Sequence, residues 1–329
     1  GVDARLAHVD ELSARVQATK LDGVLSIGGG SGLCTGKGVA IAAANSGKLR
    51  EHVGYQAFAN RALQQIMVPT TAGSGSEVSQ YTIVKDDARH EKLVAGGPKS
   101  FPEIAILDPS VLASVPGRVA AIAGVDALTH ALEACFTNLA TPLTDAVALA
   151  AMRDQVSCLR DAIRNRTEAA RNQSLLAAAM ANIACGNARL GLAHSLSFPL
   201  ESRLDMTHGI GVGVLMPRVL AFNAPADAQK MRAVAEAFGI KRHARRADTL
   251  AASVLDELYQ LYDDIGFPRY FDPKTFAPER IVELAQAATT GLWGGGPAGA
   301  INDQTLIHSP NVRKANVGHA RQIYESCFA

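Results

Sequence analysis

Residues 124–133, GVDALTHALE, decide how the rest of this 329-residue chain is read. Asp126 and His130 stand four apart with no helix breaker between them. On a helix that spacing stacks both side chains on one face, about 6 Å apart, close enough to hold one ion. A second histidine pair lies in residues 191–211, GLAHSLSFPLESRLDMTHGIG, where His194 and His208 are fourteen apart. One straight helix would separate them by roughly 21 Å, too far for a shared metal. Pro199 is expected to break that helix just after His194, and the polar run 201–207 to turn the chain back. His208, followed by Gly209, then opens the next helix. One carboxylate and three imidazoles suit Fe or Zn and serve Mg or Ca poorly. A lone histidine on an apolar helix face is ordinarily a core residue, but four such groups in this arrangement point to a metal.

The length favours two domains sharing a cleft. Hydrophobic residues make up 48% and charged residues 19%, with a net charge of +1, so large cores can form and no basic bias argues for nucleic acid or an anionic membrane. The longest apolar runs, such as 147–152, fall far short of a membrane span, and no signal peptide precedes the first helical pattern, so a cytoplasmic protein is expected. Five cysteines, odd in number and without CxxC spacing, fit reduced thiols.

Along the chain, residues 3–20 have helical spacing with Leu6, Val9, Leu12 and Val16 on one face. Residues 24–27 read as a short buried strand. Gly28, Gly29, Gly30 and Ser31 then make a strand-to-helix turn, with a helix from about 36 to 45. Glycines let the backbone approach a ligand closely, and a helix N-terminus offers N–H groups and a positive dipole end to a pyrophosphate. The turn is neither GxGxxG nor a P-loop. Residues 65–69 form the next strand, leading into TTAGSGSEVS, whose small and hydroxyl residues can line a cofactor. Residues 81–85 and 92–95 read as a hairpin, and 104–107 as the last strand.

From about residue 110 only helical patterns remain, over 118–136, 143–163, 167–186, 210–221, 227–238, 246–264, 277–290 and 314–327. The run 291–299, which holds Trp293, is expected to be a loop. The fold class is therefore an α/β nucleotide-binding domain over residues 1–109 plus an all-helical metal-binding and catalytic domain over 110–329, with ligands in the cleft between them. His8, His52, His90, His243, His308 and His319 lie in polar surroundings and read as surface residues. The basic run KRHARR at 241–246 reads as a solvated helix entrance.

GVDALTHALEA and GLAHSLSFPL with THGIGVGVLMP resemble the metal-binding segments of the iron-containing (group III) alcohol dehydrogenase family. The similarity continues through GGGSGLCTGK (28–37), VPTTAGSGSEVS (68–79) and AILDPSVLASVP (105–116) to SPNVRKANVGHARQIY, and so covers nearly the whole chain. It implies the dehydroquinate synthase-like fold and metal-assisted hydride transfer between a nicotinamide and a small alcohol or aldehyde. The cofactor would be NAD or NADP, with Fe2+, or alternatively Zn2+, on Asp126, His130, His194 and His208. By the same resemblance Thr70, Thr71, Ser74 and Ser79 join Gly28, Gly29, Gly30 and Ser31 in facing the nucleotide, Lys92 approaches it, and the protein is a homo-oligomer, a dimer. Family members carry further strands ahead of the position of Gly1, so the N-terminal part is expected to be missing, and with it the residue that would tell NAD from NADP.

Two departures stand out. Cys34 replaces an aspartate, changing a polar contact near the cofactor. Phe198, four residues after His194 in the catalytic region, stands where many members place a histidine thought to relay protons. Phenylalanine cannot move a proton, so the proton is expected to leave through ribose hydroxyls or ordered water from a more apolar pocket. The alternatives are a maleylacetate reductase, which generally lacks the full ligand set, a lyase of the dehydroquinate synthase type, which has a different glycine turn, and a non-catalytic metal-binding protein.

Overall fold

Short apolar runs separated by glycine turns give the first third of the chain all of its named strands. The computed structural model describes residues 3–240, 246–290, 306–307 and 309–329. In order come α1 (Leu6–Thr19), β1 (Gly23–Gly28), α2 (Gly30–Asn45), β2 (Gly54–Tyr55), β3 (Gln64–Pro69), β4 (Tyr81–Asp86), β5 (Glu91–Gly96) and β6 (Ile104–Ala105). One sheet is parallel in the order β1-β3-β6, with Gly28 opposite Pro69 at its carboxyl end. The other has the order β2-β5-β4, where β4 and β5 form the expected antiparallel hairpin. Val9, Val39, Ile41, Leu49 and Val84 pack into the core of this part. Parallel sheets are ordinarily covered on both faces. Here one face leaves Leu25, Ile27, Ile66 and Ile104 exposed, at 61%, 63%, 36% and 50%.

Two local expectations change in this region. Leu12 is exposed rather than buried with Val9, and Ser13 takes the buried place beside it. Helix α2 begins at Gly30, six residues earlier than its apolar pattern suggests. The glycines are helical there, and their missing side chains permit close packing. A Cβ on Gly30 would stand 2.9 Å from Ser74 Cβ, and one on Gly36 would collide with Ser26.

The remainder is helical: α3 (Gly117–Cys135), α4 (Pro142–Arg164), α5 (Glu168–Ala188), α6 (Leu192–Leu204), α7 (His208–Asn223), α8 (Ala228–Ala237), α9 (Ala247–Ile265), α10 (Ile281–Ala287) and α11 (Val317–Glu325). Their apolar stripes meet in one core that includes Leu128, Leu132, Leu196, Val214, Leu258 and Tyr324. Pro199 does not end its helix. It lies inside α6, and the chain turns at Asp205, whose φ of 52° is left-handed. An interior proline costs a helix about 3 kcal/mol, but residues 192–201 are all buried, and that packing overrides the local preference. The turn brings α7 back beside α6, which the sequence pattern placed correctly in direction and wrongly in position.

The stretch His208–Ala226 is long and apolar enough by composition to cross a membrane, contrary to the short runs read from the sequence, although 67% of it is buried inside the protein. His52 is also buried, with Nε2 2.7 Å from the Ser46 carbonyl, and His319 is half-buried against the Phe222 ring, so neither is a solvated surface residue. All five cysteines are free thiols. The expectations for Trp293 and its loop, His243, His308 and most of the basic run lie outside the described residues.

Candidate metal centre

Helix α3 carries Asp126 and His130 on its buried face, α6 carries His194 two residues into its first turn, and α7 opens at His208. One ligand atom from each lies within 4.8 Å of all the others. Asp126 Oδ1 is 3.6 Å from His130 Nε2, 3.9 Å from His194 Nε2 and 3.4 Å from His208 Nε2. A tetrahedron with bonds near 2.1 Å has edges of about 3.4 Å, so the four atoms are spaced for one transition-metal ion. Asp126 Oδ1 and His194 Nε2, both facing the shared centre, are buried with no hydrogen-bond partner. Leaving such an atom unsatisfied costs about 1–3 kcal/mol, which a bound cation would remove. The donor set and its orphaned atoms therefore fit an ion.

Two further carboxylates, not singled out from the sequence, hold the imidazoles. Glu133 Oε2 lies 2.6 Å from His194 Nδ1, and Glu133 also accepts from the backbone N–H groups of Gly191 and Ala193. Glu201 Oε1 lies 2.7 Å from His208 Nδ1 and accepts from Ser197 Oγ at 2.6 Å. A carboxylate on the outer nitrogen fixes the tautomer and turns Nε2 toward the ion. A signal did exist: Glu133 falls three residues after His130 on the same stripe, and Glu201 seven after His194.

The electrostatics agree with a cation site. Burial works to raise the Asp126 carboxyl, but His130, His208 and His194 outweigh it and hold the group well below the usual range. Burial pushes His130 down to about 4. Burial opposes charge on His208 as well, yet Glu201 and Asp126 outweigh it and raise the group to about 10. Positive charge is thus favoured between these two carboxylates. Phe198 is buried one turn beyond His194 on α6.

The glycine turn and the TTAGSGSEVS loop meet. A Cβ on Gly29 would stand 3.2 Å from Thr71 Oγ1, and Gly30 abuts Ser74. Helix α2 has Gly29 at its N-cap and no side-chain cap. Thr70, Thr71 and Ser74 are half-buried along this rim, whereas Ser79 is buried, with its Oγ accepting from the Tyr81 N–H at 3.1 Å. Lys37, missed in the sequence, is fully buried and donates to the carbonyls of Ser76, Ser79 and Tyr81 at 2.7, 2.6 and 2.9 Å. It anchors the loop to α2. Lys92 does not present a free ammonium to a cofactor: its Nζ is bound by Glu201 and, at 3.3 Å, by Asp3. Cys34 Sγ lies 3.7 Å from Ser76 Oγ.

Residues 1–109 match the sequence model of iron-containing alcohol dehydrogenase, and residues 120–306 that of the Fe-containing alcohol dehydrogenase family, C-terminal. A choline dehydrogenase of Bacillus subtilis (strain 168) is 30% identical over 324 residues, covering 97% of this chain and 77% of that protein. An NAD-dependent methanol dehydrogenase of Bacillus methanolicus is 33% identical over 268 residues, 81% of this chain and 70% of the other. A crystal structure of 1,3-propanediol oxidoreductase superposes with a TM-score of 0.90 at 28% identity, over 98% of this chain and 81% of that one.

Proposed function

The chain belongs to the iron-containing alcohol dehydrogenase family, and on that premise we propose that it is a metal-dependent, NAD(P)-linked alcohol dehydrogenase or aldehyde reductase acting on small substrates. The observation that carries the reading is the convergence of Asp126, His130, His194 and His208, with two imidazoles braced from behind by Glu133 and Glu201. Asp126, His130, His194 and His208 would hold a divalent ion, Fe2+ or Zn2+. When bound, the ion supplies Lewis-acid polarisation of the substrate oxygen, and the nicotinamide supplies or accepts the hydride.

The protein's own groups do the rest. Asp126 offsets part of the positive charge. Glu133 and Glu201 accept from the Nδ1–H of their imidazoles, which leaves Nε2 aimed inward. Phe198 offers no proton path, so protons would leave through ribose hydroxyls or ordered water. Gly28, Gly29, Gly30, Ser31, Thr70, Thr71 and Ser74 would take the nucleotide, with the pyrophosphate against the start of α2. Residues 1–109 form the nucleotide-binding domain on this reading and 110–329 the catalytic domain, and the protein works as a cytoplasmic homodimer.

The test is NADH and NADPH oxidation over a panel of small aldehydes, with chelator-stripped protein and ferrous iron or zinc added back. Turnover is expected to return with one metal and to be absent in His194→Ala. Metal-loaded protein that is inert with every aldehyde and both nucleotides would overturn the proposal.

A further inference from the structure

Arg189 joins α5 to α6 with φ 70° and ψ 166°. That region is open essentially to glycine alone, and other residues held there are strained. The conformation by itself says little, since Ser46 adopts it at an exposed turn. At Arg189, however, the side chain is also unusual. Its guanidinium lies 5.2 Å from the Tyr55 ring centroid and 5.4 Å from that of Tyr81. Its Nη1 is buried without a hydrogen-bond partner, and among the described residues no carboxylate pairs with it.

The place matters as much as the state. Arg189 precedes His194 by five residues, so the two lie within about 18 Å even along an extended chain. Tyr81 continues the loop that Lys37 anchors, since its carbonyl accepts from Lys37 and its N–H donates to Ser79. Arg189 therefore bridges the candidate nucleotide loop and the metal-bearing helix. It is not at the start of α2, where the pyrophosphate belongs on the reading above. Aromatic faces beside a guanidinium cover its π-surface and leave its in-plane N–H fork for an acceptor.

We propose that Arg189 is the anion-recognising residue of the substrate pocket, and that the preferred alcohol or aldehyde carries a carboxylate at the end remote from its reacting carbon. This rests on the hydride-transfer reading. A planar carboxylate accepts two parallel N–H bonds from the fork and satisfies the stranded Nη1. The tyrosines orient the fork, and the backbone strain is held in place by their packing.

The experiment compares succinic semialdehyde with butanal, equal in chain length and different in charge, on metal-loaded wild type, Arg189→Gly and Arg189→Lys. Glycine adopts this φ and ψ without strain, so the substitution does not burden the backbone. Wild type is expected to favour the anionic aldehyde in kcat/KM by at least about tenfold, through KM. Arg189→Gly loses at least about tenfold of that ratio, and Arg189→Lys falls between, because an ammonium cannot fork. No preference in wild type, an unchanged ratio in Arg189→Gly, or a rise confined to the KM of the nucleotide overturns the inference. If neither aldehyde is reduced, the wider aldehyde panel decides the hydride-transfer reading and calorimetry with succinate decides this one. Binding to wild type at least about tenfold tighter than to Arg189→Gly supports it, and equal or absent binding refutes it.

Discussion

Replacing Lys92 with methionine keeps the aliphatic stem and removes an ammonium from an ion pair that joins the hairpin to α6. The Lys92 side chain is 5% exposed and that of Glu201 0%, so solvent screens neither. Burial opposes the charge of Lys92, but Glu201 and Asp3 outweigh it and hold the ammonium charged. Removing one partner of a buried pair costs about 3–5 kcal/mol, because the other charge stays buried. Glu201 keeps Ser197 Oγ at 2.6 Å and His208 Nδ1 at 2.7 Å, which sets the loss near the lower end. At about 2 °C per kcal/mol for a chain of this size, the melting temperature of metal-free protein should fall by about 6 °C. Circular dichroism of Lys92→Met, Glu201→Met and the double variant reads the coupling. The double variant should lose at least about 2 kcal/mol less than the sum of the single losses, since it removes both members of the buried pair together. A Lys92→Met protein melting within about 2 °C of wild type, or strictly additive losses, would refute the argument.

Glu133→Gln should weaken metal binding by about 10–100-fold in a chelator competition while the fold persists, because a neutral amide oxygen replaces the carboxylate charge behind the outer nitrogen of His194. Phe198→His places a titrating imidazole one turn from His194, and the pH profile of kcat/KM should acquire a new limb near neutrality; an unchanged profile would show that position 198 plays no part in proton exit. Asp86 is held below the ordinary carboxylate range: burial works to raise it, and Arg50 with backbone N–H groups outweighs burial. Its folded-state value is depressed, so its stabilisation is present above the unfolded value near 4 and disappears as pH falls through the folded one. The deficit of Asp86→Asn in unfolding free energy, read from urea titrations, should therefore be about 1 kcal/mol at pH 7 and shrink between pH 5 and pH 3.

Much of the helical half was legible because apolar spacing and alanine-rich runs are local properties, and α3, α4 and α5 lie within two residues of their expected limits. The start of α2 and the continuation of α6 through Pro199 were not. In both, burial decides: glycines that look like a turn become helical where Ser74 and Ser26 leave no room for a Cβ, and a proline that looks like a breaker stays helical inside the core. Lys92 looked like a residue free to meet a nucleotide, and its partner lies 109 residues away. No window of sequence contains that information.

The chain by itself determined the donor set, because Asp126 and His130 are neighbours on any helix and the types of the four side chains select the metals they can hold. It also determined the glycine and hydroxyl segments opposite. Only the tertiary structure decided which groups support them. Glu133 reaches His194 across 61 residues, Lys37 reaches the Ser79 carbonyl across 42, and Arg189 lies against both Tyr55 and Tyr81. These contacts arise from the packing of whole elements, which buries polar atoms and then requires a partner for each, and that requirement acts in space rather than along the sequence.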